Sequence, residues 1–161
     1  MNAAFRIWAS LVSLAIIVQV GLAGYGAFHA VDVSDDKGAI SKKRVEHGFN
    51  AHAAHGYAIL LGALVLLILA FLARRQSPGG ARPKWAGILL VLLVVQVLLA
   101  WLGGAVAWLG VLHGMNALAV AGVAGSLAGR EWAMHRAASA EPQATCSVSP
   151  LWVFSTVTAL M

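Results

Sequence analysis

Charge is what this sequence lacks most. Only 11% of its 161 residues are Asp, Glu, Lys or Arg, against about a quarter in an ordinary soluble domain. So few cannot cover a water-facing surface. Cysteine is down to the single Cys146, which excludes an intrachain disulfide and a paired-cysteine metal site and leaves the redox compartment open. There is no phosphate-binding glycine loop, no dinucleotide fingerprint and no Ser/His/Asp arrangement. The function classes that depend on those motifs have no support in the chain.

What is there instead is apolar. Mean hydropathy is +0.82, and the charges are confined to short stretches between apolar runs close to the ~20 residues a bilayer-crossing helix needs. Four spans are expected, at about 5–29, 52–73, 85–107 and 110–129. They give an all-α integral membrane four-helix bundle over 1–136. The first run is too long for a signal-peptide core, and Gln19 with the glycines near its end reads as helix interior. From about Ala137 the character changes: 138–145 reads as a linker, and 151–161 is apolar but too short to span.

Lys and Arg set the expected orientation, because cytoplasmic loops retain them. Arg74, Arg75, Arg82 and Lys84 crowd the connection between spans two and three, and Arg6, Arg130 and Arg136 place both termini on the same, cytoplasmic side. In the first loop, Lys37, Lys42, Lys43 and Arg44 are matched by Asp32, Asp35, Asp36 and Glu46, so that loop lies outside. Trp8, Trp85 and Trp132 then fall at the inner interface, and Trp101 and Trp108 at the outer one. The isoelectric point near 10.0 follows from basic residues gathered at an anionic lipid surface. No basic stripe interleaved with aromatics suggests nucleic acid. The expected setting is the cell's inner (plasma) membrane, with the lipid bilayer as the main partner.

The chain also repeats itself. Val18-Gln19-Val20 in span one is answered by Val95-Gln96-Val97 in span three, and each is followed by a span that opens with histidine and closes with arginine. Two helical hairpins related by a pseudo-twofold axis along the membrane normal are the simplest account. Under that symmetry spans two and four face each other with their histidines at the same outer depth. Gln19 and Gln96 are buried amides suited to hydrogen bonding between helices, and Asn116 is a third.

Six histidines divide by position. His29 and His47 fall in the outer loop and His135 in the tail, where solvation is the ordinary role. His52, His55 and His113 lie at membrane depth, where polar groups face a bundle interior. A bis-imidazole haem needs one histidine on each of two facing helices, with small residues beside the macrocycle. Gly56 lies one turn deeper than His52, Ala117 one turn deeper than His113, and Gly114 is adjacent. His55 has Ile59 at the equivalent place. The expected haem-iron ligands are therefore His52 and His113, with His55 close enough to meet a propionate or support a ligand. Two other readings stay open: imidazoles that only hydrogen-bond, and a metal ion held by His52, His55 and His113.

The stretches Phe49-Asn50-Ala51-His52-Ala53-Ala54-His55-Gly56-Tyr57 and Leu112-His113-Gly114-Met115-Asn116-Ala117-Leu118 resemble a family of small four-span membrane proteins common in actinobacteria. That resemblance reaches to about residue 136. Histidine on spans two and four, with glycine four residues after the first, is also similar to one four-helix half of haem A synthase. The likeness implies a haem held by His52 and His113 near the outer face. Phe49 and Ala53 stand where the synthase has Glu and Arg, so a b-type haem, and not synthase chemistry, is implied. The functional expectation is a membrane cytochrome for electron transfer, or a haem-dependent subunit, and not a stand-alone enzyme. It would have a redox partner or larger complex, and a homodimer would complete the missing half. A cofactor-free accessory subunit is the alternative.

The topology has a direct check. Single cysteines placed at Arg75 and at Lys43 in a Cys146→Ser background should react with a membrane-impermeant maleimide from opposite faces of intact cells. Arg75 should react only after the cytoplasmic side is opened, and labelling of both from outside overturns the orientation.

Overall fold

A bilayer offers no water to backbone N–H and C=O groups, so the chain bonds them along helices. The computed structural model describes residues 2–35, 41–74 and 81–146. Its elements are α1 (Asn2–Asp35), α2 (Lys42–Leu72), α3 (Ala81–Gly103) and α4 (Ala107–Cys146). All four are long and apolar enough to cross a membrane, which is the architecture of a multi-pass membrane protein. Two compact units divide the chain, 1–129 and 130–161.

The helices outrun the expected spans. α1 has 34 residues, about 50 Å at 1.5 Å per residue, while the hydrocarbon core is about 30 Å thick. The segment expected as an outer loop is therefore helical as far as Asp35 and again from Lys42. His29 and His47 sit on helices, not in a loop. Ser41 starts α2 as its N-cap, its side chain accepting from the Arg44 amide, as short hydroxyl side chains do. Two glycines let the extended ends close up. A Cβ on Gly48 would strike the His29 ring, and one on Gly26 would come within 2.5 Å of the Phe49 ring. His29 Nε2–H donates to the Arg44 carbonyl at 3.1 Å.

At the other end, α4 runs through the stretch expected as a linker, reaching Cys146. Within the second unit the Trp132 and His135 rings meet at 5.9 Å. The apolar segment 151–161 lies outside the described residues.

The core follows one spacing. Phe5, Ala9, Val12 and Ile16 of α1 are joined by Ile59, Ala63, Leu66 and Ala70 of α2, Ala86, Leu89 and Leu93 of α3, and Val120, Ala124 and Leu127 of α4. Steps of four, three and four keep each set on one helix face. Alanine at every second or third rung lets backbones approach, which matters where lipid is as apolar as leucine and association depends on packing. The opposite faces expose Leu14, Ile17, Leu61, Leu64, Ile68, Val91 and Leu118, a surface suited to hydrocarbon. Trp8 Nε1–H ties α1 to α2 through the Gly62 carbonyl at 2.8 Å, and Trp101 Nε1–H reaches the Tyr57 hydroxyl at 3.0 Å. The buried Arg82 donates to Asn2 Oδ1 at 2.7 Å, with its guanidinium carbon 5.1 Å from the Phe5 ring centroid.

Two leucines two residues apart on α2 test this division of faces. Leu66 is 1% exposed and Leu64 44%. Leu66→Ala should destabilise the protein by about 2 kcal/mol through the cavity it leaves, while Leu64→Ala should be near neutral. Reversible unfolding in mixed micelles measures both, and equal effects contradict the packing described.

Candidate functional site: twin polar clamps and a histidine pair

Inside the bilayer each polar side chain has to find its partners in the protein. Gln19 of α1 donates through Nε2 to the His52 carbonyl at 2.8 Å. In return His52 Nδ1–H donates to the Gln19 carbonyl at 3.2 Å. The remaining amide oxygen, Gln19 Oε1, accepts from His55 Nδ1–H at 2.8 Å. Backbone and side chain of one glutamine thus lock two imidazoles one turn apart.

The second hairpin repeats the pattern. Gln96 Nε2 donates to the His113 carbonyl at 3.0 Å, and His113 Nδ1–H donates to the Gln96 carbonyl at 3.1 Å. Gln96 Oε1 accepts from Asn116 Nδ2 at 2.6 Å, and the same Asn116 amide also reaches the Leu92 carbonyl at 2.9 Å. Gln96 follows Gln19 by 77 positions, and His113 and Asn116 follow His52 and His55 by 61 each. The buried rungs obey the same offsets: Ala9, Val12 and Ile16 become Ala86, Leu89 and Leu93, while Ile59, Ala63 and Leu66 become Val120, Ala124 and Leu127.

These partners fix the protonation pattern. A carbonyl can only accept, so Nδ1 of His52 and of His113 carries the hydrogen, and each Nε2 is left with its lone pair. Gln19 has committed its amide nitrogen to the His52 carbonyl, which turns Oε1 toward His55 and makes Nδ1 the donor there too. Gln96 Nε2 additionally lies 3.0 Å from His113 Nε2 and can donate to it.

His52 and His113 meet across the bundle. Their ring centroids are 6.4 Å apart with the planes at 60°, and the Phe49 ring stands edge-on to His52 at 6.4 Å. His55 is not part of this pair, since its ring is turned to Gln19. A Cβ on Gly56 would come within 3.1 Å of Gln19 Nε2, so this glycine leaves space for the amide. A Cβ on Gly114 would meet nothing within 4 Å, and Ala117 is half-buried. Among the described residues no group of three or more His, Cys, Asp or Glu is placed to hold a metal ion, so the three-histidine ion site lacks its geometry.

The two outer histidines have structural partners. The His29 ring stacks on Tyr25 with centroids 6.1 Å apart and approaches His47 at 6.2 Å, beside a cleft that Asp32 and Arg44 also line. Reading the sequence anticipated glutamines bonding between helices but missed their pairing with a donor three residues beyond each histidine. The matched spacing of His55 and Asn116 was the available signal. No family model matches the chain, and no curated protein or solved structure is significantly similar to it.

The clamps can be weighed by double-mutant cycles. The Gln96→Leu and Asn116→Leu pair should show a coupling of about 0.6 kcal/mol, and no more than about 2, in unfolding measured in bicelles. The Gln19→Leu and His55→Leu pair should give a similar value. Strict additivity in both would mean that the amides contribute nothing to helix association.

Proposed function

We propose that this chain is a membrane b-type cytochrome, holding one haem between His52 and His113 for electron transfer or as a haem-bearing subunit of a larger membrane complex. The observation that carries this reading is the facing pair of imidazoles on α2 and α4, each with Nδ1–H held by a glutamine carbonyl. That is the arrangement metal-bound histidines need: the second nitrogen's hydrogen bond sets the tautomer and ring orientation and raises the basicity of the ligating nitrogen.

The donor set fits the group. His52 and His113 would hold the iron, each through an imidazole nitrogen, and their rings approach across the bundle with centroids 6.4 Å apart. Ligation through His113 Nε2 would exchange its contact with Gln96 while Gln96 keeps the His113 carbonyl. Gly114 and Ala117 add little bulk on α4, and His55 supports His52 through their shared partner, Gln19. When bound, haem supplies a one-electron couple whose potential depends on its axial ligands and the polarity around them.

An internal pseudo-twofold axis along the membrane normal accounts for the repeated clamps, and two pairs of equivalent residues support it. His52 and His113 occupy matching positions and touch, as do Phe5 and Arg82. Equivalent residues meet only near such an axis. The charge pattern favours cytoplasmic termini and a haem near the outer face of the plasma membrane. Dimerisation through the exposed small residues of α4 extends the likeness to a two-half enzyme.

A second reading has its own support. His52 and His113 already hold their helices together through the clamps, which a cofactor-free accessory subunit would also need. Absorption spectra of protein made with ample haem, oxidised and then reduced by dithionite, separate the two. Sharp α and β bands are expected, lost in His52→Ala or His113→Ala and kept in His55→Ala. A featureless spectrum supports the accessory reading, and loss of haem in His55→Ala alone overturns the ligand assignment.

A further inference from the structure

The two halves differ where His55 stands. Its counterpart Asn116 fulfils the clamp's requirement for a donor to glutamine Oε1 and uses its amide a second time on the Leu92 carbonyl. His55 meets the same requirement with Nδ1–H and is left with a bare acceptor, Nε2. No described residue hydrogen-bonds it. That nitrogen belongs to a side chain lining a groove of about 180 Å³ between α1 and α2, with Trp8, Ala15, Ala58, Ile59 and Gly62 along its walls.

The second half carries bulkier residues at two of the positions that line this groove. At the offsets of 77 and 61 positions fixed by the clamps, Ala15 is replaced by Leu92 and Gly62 by Val123, while Trp8 is matched by Trp85 and Ala58 by Ala119. Six of the eight lining positions differ between the halves; besides His55 against Asn116, the largest changes are Ala15 against Leu92 and Gly62 against Val123, and both take bulk away from this groove. Seven residues separate His55 from Gly62, so the groove runs about 10 Å along α2, with its polar group at the shallower end.

We propose that this groove binds the headgroup of a lipid-soluble hydroquinone, with a ring hydroxyl donating to His55 Nε2. A cavity near 150 Å³ takes one benzene ring, so about 180 Å³ suits a single substituted ring whose tail leaves into lipid. The Trp8 indole supplies an aromatic wall. Because Gln19 holds the hydrogen on Nδ1, the site can accept and not donate. It therefore prefers the hydroquinone to the corresponding quinone, whose oxygens can only accept.

This deepens the preceding reading by naming its electron donor, and it rests on that reading for the electron acceptor alone. Oxidation of the hydroquinone to the quinone releases two electrons and two protons. A ferric haem held by His52 and His113 would accept the electrons one at a time, the first passing on to the redox partner before the second arrives. His55 Nε2 takes the protons in turn, passing the first to water before the second leaves. Gln19 links the groove to the proposed ligand, since it bonds both His55 and the His52 backbone.

The test uses the full-length protein in lipid nanodiscs, titrated with a decyl-substituted benzohydroquinone and, separately, its quinone. Binding is read as the part of tryptophan quenching that disappears in Trp8→Phe, a signal that does not need haem. The hydroquinone should bind more tightly than the quinone. His55→Asn, which borrows the second half's residue and keeps the clamp, should weaken the hydroquinone about tenfold, the effect of one hydrogen bond. Gly62→Val should abolish binding of both forms; a Cβ there meets Val12 only at 3.5 Å, so the helices should tolerate it. Equal affinity of the two forms, or hydroquinone binding indifferent to His55→Asn and Gly62→Val, overturns the proposal. Binding that depends on His55 in protein without haem upholds the site and removes only the cytochrome reading. A clean haem spectrum with no quenching at Trp8 does the reverse.

Discussion

Everything in this bundle turns on the cost of an amide in hydrocarbon. Gln19 and Gln96 each bring two donors and an acceptor to a depth where water cannot satisfy them, and each finds partners on one facing helix within three residues. Meeting that demand fixes the register of α1 on α2 and of α3 on α4. It also sets which way the amides point, and through them which nitrogen of His52, His55 and His113 carries the hydrogen. Apolar packing alone is less selective, because ladders of Ala, Leu and Val could slide by a turn with little change in buried surface.

The division of labour between core and clamp follows. Small residues such as Ala9, Ala63, Ala86 and Ala124 bring the backbones close, and closeness is what lets a glutamine side chain reach a carbonyl on its neighbour. Gly56 shows the same dependence at a single position, for a Cβ there would press on the Gln19 amide. Packing and polar bonding are therefore not independent contributions. Loosening one removes the geometry the other needs.

Much of this was legible in the sequence. Four apolar runs told of four membrane-length helices, and the Gln19 and Gln96 repeats marked the two residues that bond to the helix following their own. Hydropathy could not tell where the helices end. α1 and α2 continue beyond the lipid because Ser41 caps one of them and Gly26 and Gly48 admit the Phe49 and His29 rings, all local devices with no hydropathy signal. Choosing His52 over His55 as the partner of His113 rested on small neighbours. The structure brings His52 to His113 for a different local reason, since Gln19 Oε1 holds the His55 ring. Gly56 signals open space in the sequence, and the structure sets the Gln19 amide beside it. A glycine announces space, and only the fold says for what.

The clamps also bear on how such a chain enters a membrane. A span carrying a lone glutamine or a pair of histidines is a poor substrate for insertion by itself, because its polar groups would meet lipid undressed. Here each glutamine's partners lie on the very next helix, and between α3 and α4 the connection is only Gly104 to Val106. Each hairpin can leave the insertion machinery with its hydrogen bonds already made. The helix pair is thus the smallest piece of the chain that meets its own glutamine's needs, whereas the approach of His52 to His113 requires both pairs.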